Sequence, residues 1–281
     1  NMMNKKILFS ALIALALVFS SNSYAKQSHT YNNKVDSNLI SFSEAKRELT
    51  KIYNANRDPV NGFTEASQTF YCHCPIVREK VKHSTKTKLV PNLDACGYVS
   101  GKYHKRAERI EWEHIMPAAW KGRDLRCWQT GGRKNCQGDP EFVKFEGDMH
   151  NLVPSVGEIN ATRGQFRYTD FQNKKKSPYG QCFFLVDTKA KAVEPARYTR
   201  GFIARTFLYM SETHHVELSS KDKKMMIDWN KKNPPTTWEC YRNERIALLS
   251  GRDNRFITQA CKKQPSQKQT TTKSTKNKRN R

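Results

Sequence analysis

The densest grouping of reactive side chains in the chain is Arg109-Ile-Glu-Trp-Glu-His-Ile-Met-Pro117. Apolar and polar positions alternate through it with the period of a strand. Ile110, Trp112 and His114 fall on one face, and Glu111, Glu113 and Ile115 on the other. Pro117 has no amide proton to add to a ladder, so the strand is expected to end near it. Two carboxylates and an imidazole then crowd one strand end. Buried, they need partners or a bound cation; exposed, they form no more than a solvated edge with one packed histidine. Carboxylate and imidazole side by side support metal-assisted hydrolysis, in which a cation neutralises charge and neutral imidazole takes a proton from water.

The downstream sequence favours the chemical reading. Gly131-Gly132-Arg133-Lys134-Asn135 reads as a turn carrying paired cations. In Glu146-Gly-Asp-Met-His-Asn-Leu-Val-Pro-Ser-Val-Gly-Glu-Ile-Asn160, Ser155 and Glu158 have the spacing of a capping box, which predicts a helix from Ser155. Asn160 lies about one turn inside that helix and offers an amide oxygen, a hard ligand suited to magnesium or calcium.

These stretches resemble the bacterial endonuclease I family, non-specific nucleases of the periplasm or medium with a ββα-metal (His-Me) finger. The likeness runs through Pro91-Asn-Leu-Asp-Ala-Cys-Gly-Tyr98, Ile110 to Pro117, Cys127-Trp-Gln-Thr-Gly-Gly-Arg-Lys-Asn-Cys136, His150 to Asn160 and Arg200-Gly-Phe-Ile-Ala-Arg-Thr-Phe-Leu-Tyr-Met210. The resemblance implies that His114 is the general base, that Glu113 and Asn160 bind the metal, and that Arg133 holds the scissile or product phosphate. Glu111, Glu146 and His150 are expected behind these residues as supports. Two protein ligands suit Mg2+, which keeps several waters, with Ca2+ or Mn2+ as substitutes. Adjacent residues of an unbroken strand point to opposite faces. For Glu113 and His114 to share a site, the metal must straddle the strand end or the backbone must twist before Pro117. The twist is the expectation, with the histidine oriented by a hydrogen bond to its other ring nitrogen.

Around these residues the chain divides into elements that must position them. Lys5 and Lys6, the apolar run from Ile7 to Phe19 and Ser23-Tyr24-Ala25 have the form of a secretory signal over residues 1–25, followed by a mature chain from Lys26. The rival is an uncleaved membrane anchor, for which the apolar run falls short of the roughly 20 residues needed. Residues 26–40 are polar. Ser41 and Glu44 repeat the capping-box spacing ahead of the stripe Phe42, Ala45, Leu49, Ile52 and Tyr53. Asn61-Gly62 reads as a turn, Arg78 to Lys88 as a basic loop, residues 108–165 as the finger, and Gln181 to Asp187 as a strand leading to a second one. Arg200 to His214 predicts a buried helix. Ser219 to Lys232 predicts another, ended by Pro234-Pro235, with Met225, Met226 and Trp229 as core. Thr236 and Glu239 start one more, closed by Gly251. The fold class that follows is α+β: a single mixed, helix-rich, disulfide-stabilised nuclease domain over residues 26–261, with a basic disordered tail at 262–281.

Export governs how the cysteines at 72, 74, 96, 127, 136, 182, 240 and 261 are read. In an oxidising compartment they form up to four disulfides, with Cys127 and Cys136 expected to pair across the Gly-Gly turn. The competing reading is a zinc site on Cys72, His73 and Cys74 with a second cysteine pair, whose spacing lacks the usual knuckle gap.

Charge points to the partner. The formal net charge is +24, from 50 basic and 26 acidic residues. Setting aside the two lysines of the signal and the eight cations of the tail leaves +14 on the folded part. A polyanion is the natural partner. Lys121, Arg123, Arg126 and Lys134, with Trp120 and Trp128 among them, are candidate nucleic-acid contacts, although core packing is the simpler role for at least one tryptophan. The sequence thus predicts a periplasmic or secreted, monomeric endonuclease with no stable membrane association, acting on DNA and also on RNA. The alternative is an exported basic protein that captures nucleic acid or envelope polyanions without cutting them.

Overall fold

The computed structural model describes residues 39–53, 64–171 and 175–263, and opens with helix α1 (Phe42–Ile52). The signal segment, the Asn61-Gly62 turn and the tail beyond Lys263 lie outside the described residues. The foreseen capping box forms: the Glu44 amide donates to Ser41 Oγ at 3.2 Å, and the Ser41 amide donates to Glu44 Oε2 at 2.9 Å. Ala45, Leu49 and Ile52 bury one face of the helix, as the spacing requires.

The remaining elements, in chain order, are β1 (Ile76–Lys80), β2 (Thr87–Pro91), α2 (His104–Ala107), β3 (Ile110–His114), α3 (Ala118–Gly122), α4 (Arg126–Gly131) and α5 (Pro140–Glu146). They continue with β4 (Leu152–Val156), α6 (Gly157–Arg163), β5 (Arg167–Tyr168), β6 (Phe184–Asp187), β7 (Ala192–Pro195), α7 (Arg200–His214), α8 (Ser220–Lys232), α9 (Thr237–Ser250) and α10 (Arg255–Cys261). The fold is helix-rich α+β, with three small sheets ordered β1-β2, β3-β4 and β5-β7-β6.

The C-terminal helices follow their sequence signals. Ser219 caps α8 through the Asp222 amide, Thr236 caps α9 through the Glu239 amide, and Gly251 closes α9 in the left-handed region at φ +70°. Met226 and Trp229 are buried in the main core, with Met225 packed against it. Two segments depart from expectation. Residues 78–88 were expected to form a basic loop, yet β1 and β2 make an antiparallel hairpin from Ile76↔Pro91 to Lys80↔Thr87. Only its root is buried, at Ile76 and Val90, so the outer strands lack the apolar alternation that marks a strand. The strand expected from Gln181 begins only at Phe184, because Cys182 is engaged in a disulfide and a turn bonded to Ser177.

All eight cysteines pair: Cys72–Cys182, Cys74–Cys96, Cys127–Cys136 and Cys240–Cys261. The zinc reading fails, because Cys72, Cys74 and every cysteine that could supply its second pair are bonded in disulfides. The described residues include no helix long and apolar enough to cross a membrane.

The main core gathers Ile115, Val153, Val156 and Ile159 from the β3–β4–α6 region against Phe202, Ile203, Phe207 and Met210 of α7. A second cluster joins Leu49 and Ile52 of α1 to Met149, Leu152, Trp238 and Ile246. Polar pins fix the segment that leads into β4. Arg242, 1 % exposed, donates to the carbonyls of Met149 at 2.6 Å and Leu152 at 2.7 Å. The Asp148 carboxylate accepts from Tyr209 Oη at 2.9 Å and His214 Nε2 at 2.8 Å. Asn151 brackets Met116, accepting from its amide at 2.7 Å and donating to its carbonyl at 2.9 Å. The chain just beyond His114 is thereby held against the segment just before β4.

Two predictions follow from this packing. Cys72–Cys182 spans 110 residues and Cys127–Cys136 only nine. Chain-entropy arguments give about 4.8 kcal/mol for the first loop and about 2.6 kcal/mol for the second. Replacing Cys72 and Cys182 by Ala should therefore lower the urea midpoint more than replacing Cys127 and Cys136; equal losses would contradict the ranking. For Asp148, burial raises its pKa, but the bond from His214 and the nearby His150 outweigh this and hold it at about 2. A depressed carboxylate contributes stability above its unfolded pKa, near 3.9, that is lost as pH falls through the folded value. Unfolding free energy should drop between about pH 4 and 2, and less steeply in Asp148→Asn. Parallel pH profiles of the two proteins in denaturant titrations would refute the assignment.

Candidate active site

The β3–β4 ladder is continuous from Ile110↔Val156 to His114↔Leu152, and α6 follows β4 directly. The expected helix start at Ser155 is not observed. Ser155 is a strand residue opposite Glu111, and its hydroxyl donates to the Val156 carbonyl at 3.1 Å. Glu158 does not serve a capping box, because its carboxylate accepts from the amides of Gly101 and Tyr103 and from Tyr98 Oη. The helix begins instead at Gly157, where a Cβ would stand 2.4 Å from the Arg106 carbonyl oxygen. Only glycine permits that approach.

The end of β3 opens on a cleft of about 520 Å³. Glu111, Glu113, His114, Arg133 and Asn160 all line it, together with Phe42, Lys46, Arg106 and Trp128. Pairing continues through His114, the chain bends at Ile115 and Met116 ahead of Pro117, and side chains from both faces of the strand line the same cleft. A two-stranded sheet leaves one edge of β3 unpaired, so both faces can serve a site across the strand end.

His114 is buried, with its ring against Phe42 at a centroid distance of 4.9 Å and Nε2 at 2.9 Å from the Glu146 carbonyl oxygen. A carbonyl only accepts, so Nε2 carries the proton and Nδ1 keeps its lone pair. Burial holds the imidazole far below its ordinary range, at about 3. The carbonyl bond acts in the opposite sense, while Arg133, Arg163 and Lys46 add to the depression. The ring is therefore neutral at physiological pH.

Glu113 is 2 % exposed. Its Oε1 accepts from Tyr71 Oη at 3.1 Å and faces Arg163 Nη1 at 3.4 Å. Burial raises its pKa to about 7, against the opposing pull of Arg163 and Tyr71. Arg163 is itself fully buried and donates to the carbonyls of His114 at 2.9 Å and Ile115 at 2.5 Å. One guanidinium thus holds the Glu113 carboxylate and the backbone on which His114 stands.

Asn160 Nδ2 donates to Glu111 Oε2 at 2.8 Å. Glu111 also accepts from Arg106 and Arg109; burial raises its pKa, but these donors and Asn160 prevail and lower it. Because a carboxylate only accepts, the amide nitrogen must face Glu111, which leaves Asn160 Oδ1 free for a cation. Glu113 and Asn160 both line the cleft, and Oε2 of the one and Oδ1 of the other are hard oxygens of the kind that would suit a cation keeping most of its water. The described residues contain no cluster of three or more His, Cys, Asp or Glu suited to a metal, so the closed ligand set that zinc demands is missing there.

Arg133 does not stand on a simple turn. Helix α4 runs into a 3-10 segment, Gly132–Gly138, through Gly132 at φ +66°, and Cys127–Cys136 staples the two together. Arg133 Nε donates to Glu146 Oε1 at 2.6 Å, and its guanidinium lies 5.6 Å from the Phe42 ring centroid. With about half its side chain exposed, it can present its Nη groups to an anion. Glu146 therefore touches both His114, through its carbonyl, and Arg133, through its carboxylate. His150 is different. It is buried away from the cleft lining, with Nε2 at 3.0 Å from the Arg252 carbonyl oxygen, and supports the fold near the C-terminal helices.

Among the expected nucleic-acid contacts, Lys121 is a correction. It is only 9 % exposed, and its ammonium pairs with Glu141 at 2.8 Å because α3 packs beside α5. Arg123, Arg126 and Lys134 are exposed, and Arg123 donates to Gln165 at the cleft rim. Trp120 packs edge-on against Phe207, whereas Trp128 lines the cleft. Sequence reading missed Lys46 and Arg106 as cleft cations and Tyr71, Asn151 and Arg163 as supports. Lys46, one turn after Phe42, carried a faint signal; the supports carried none, because their partners are distant in the chain.

Comparison with known proteins matches this architecture. The family model described as Endonuclease I matches residues 41–261. An "Extracellular deoxyribonuclease" of Aeromonas hydrophila is 44 % identical over 225 residues, covering 80 % of this chain and 90 % of its own length. A "Periplasmic deoxyribonuclease" of the same organism is 42 % identical over 221 residues, covering 78 % and 86 %. An "Endonuclease-1" of Buchnera aphidicola subsp. Baizongia pistaciae is 38 % identical over 264 residues, covering 93 % and 97 %. On a match that takes in both strands, the helix and every residue placed around the cleft, the chain belongs to the endonuclease I family.

Proposed function

We propose that this chain is a periplasmic or secreted endonuclease that hydrolyses phosphodiester bonds in DNA, and in RNA as well, as a magnesium-dependent monomer without sequence specificity. The export and the DNA substrate rest on relatives named as extracellular and periplasmic deoxyribonucleases. The observation that carries the catalytic reading is His114: neutral, lining the cleft, with Nε2 committed to the Glu146 carbonyl and Nδ1 left as the only basic ring atom. A protein that merely captured polyanions would gain nothing from a buried neutral histidine beside a buried carboxylate.

On this reading β3, β4 and α6 form the ββα-metal finger. Nδ1 of His114 takes the proton from the attacking water as the phosphorus is approached. The Glu146 carbonyl keeps the ring in the reactive tautomer and stabilises the imidazolium that forms. Arg133 holds the phosphate through its Nη groups. Glu113 and Asn160 would hold the magnesium ion, which when bound would supply positive charge at the phosphoryl oxygens and a water to protonate the leaving 3′-oxygen. Arg106, Arg123, Arg126 and Lys134 supply the field along which a backbone can track, and Trp128 a stacking face. A lining of cations, carboxylates and aromatic rings has no ordered set of donors and acceptors for base edges, in keeping with non-specific cutting.

His114→Ala should lower plasmid nicking about 10²–10⁴-fold while DNA affinity stays near that of wild type. Cleavage within threefold of wild type would place the base elsewhere. Removing divalent cations with chelator should abolish nicking and RNA degradation together, with magnesium restoring both; RNA left intact under conditions that nick DNA would confine the enzyme to DNA.

A further inference from the structure

We propose that Tyr71 is a positioning residue for the Glu113 carboxylate, held to that task by the Cys72–Cys182 disulfide and the Tyr198 hydroxyl. The inference rests on the nuclease reading, with Glu113 as a cation ligand.

Tyr71 is fully buried, its ring edge-packed against Phe70 and Phe184 at centroid distances of 5.0 and 5.1 Å. Its hydroxyl meets two groups, Glu113 Oε1 at 3.1 Å and the Tyr168 hydroxyl. A carboxylate only accepts, so Tyr71 donates to Glu113 and Tyr168 donates to Tyr71. The chain of donors has one direction and ends on Oε1. Arg163 reaches the same oxygen only at 3.4 Å and directs its shorter bonds to the His114 and Ile115 carbonyls. Tyr71 therefore provides the closer hold on Oε1, and holding Oε1 leaves Oε2 as the oxygen for a cation.

The phenol can aim the carboxylate only if its own backbone is fixed. Residues 69–74 close on themselves, with the Thr69 amide on the Cys74 carbonyl and the His73 amide on the Thr69 carbonyl, both at 2.9 Å. Tyr71 lies within that loop. Its carbonyl accepts from Tyr198 Oη at 2.6 Å, and the next residue, Cys72, is bonded to Cys182. The Phe70 amide donates to the Pro154 carbonyl in β4 at 2.8 Å. A disulfide 110 residues in span thus ends one residue from the phenol that meets Glu113, whereas Cys240–Cys261 joins α9 to α10.

The test is titration of the oxidised, DNA-free protein with Mn2+, read by electron paramagnetic resonance. Tyr71→Phe keeps the ring and removes only the donor, and should raise the Mn2+ dissociation constant about tenfold. In nuclease assays the metal midpoint should shift, with activity largely recovered at saturating metal and the KM for DNA unchanged. Tyr198→Phe and the Cys72→Ala/Cys182→Ala pair should each weaken Mn2+ binding, but add less than twofold on the Tyr71→Phe background, because the route is already cut. Cys240→Ala/Cys261→Ala should lower the melting temperature without moving Mn2+ affinity. A Tyr71→Phe constant within twofold of wild type overturns the proposal. Full additivity, or no effect of Tyr198→Phe and the Cys72/Cys182 removal, overturns the tether; if the double-cysteine variant does not fold, Tyr198→Phe alone decides that part. Glu113→Ala separates this from the underlying reading: unchanged Mn2+ affinity there would refute the ligand assignment itself.

Discussion

A guanidinium with no access to water, that of Arg163, stands at the end of the strand that carries Glu113 and His114. Arg163 is fully buried, and so is the carboxylate it faces. Two charges in such a place are tolerable only if almost every donor is matched; losing one partner of a buried pair costs about 3–5 kcal/mol. Arg163 meets most of the demand through its Nη groups, with the Glu113 carboxylate, two backbone carbonyls and the Tyr168 ring, 4.7 Å from its centre, while its Nε has no hydrogen-bond partner. The same contacts that make the charge tolerable hold the end of β3. The ion pair that shapes the strand end also keeps the Glu113 oxygen in place, while burial, aided by Arg133, Arg163 and Lys46, holds His114 in its neutral form.

The rest of the fold isolates and braces this pair. Arg242 and Asp148 lock the approach to β4, Asn151 locks the exit from β3, and Glu158 ties the 98–103 loop to α6, which carries Asn160. Each is a buried polar group bonded across a long stretch of chain, and such contacts hold the segments they join. The disulfides add ties the small sheets cannot supply. With sheets of two and three strands, backbone ladders alone would leave these loops loose.

Much of this was legible in the sequence, and the boundary of legibility has a physical cause. The strand at 110–114, the caps at Ser41, Ser219 and Thr236 and the Gly251 stop depend on interactions within a few residues, so local spacing reveals them. Glu113, His114, Arg133 and Asn160 could be picked out because Glu-His, Gly-Gly-Arg and Gly-Glu-Ile-Asn keep their chemistry together in short motifs, whereas Lys46 and Arg106 reach the same cleft from outside them. Ser155 misled because Glu158, the partner its spacing offered, is drawn away by Gly101, Tyr103 and Tyr98. Lys121 misled because its partner, Glu141, lies in another helix. Tyr71 and Arg163 were invisible because their roles depend on contacts 42 to 97 residues away along the chain.

The central claim is that one cleft at the end of β3 binds a cation between Glu113 and Asn160, within reach of His114. Anomalous diffraction from crystals of the protein soaked in Mn2+ tests it most directly. The predicted result is a single strong peak bonded to Glu113 Oε2 and Asn160 Oδ1, with waters completing the shell and one of them facing His114 Nδ1. A peak at Glu111 or Glu146 with neither Glu113 Oε2 nor Asn160 Oδ1 bonded to it, or a peak outside the cleft, would contradict the account.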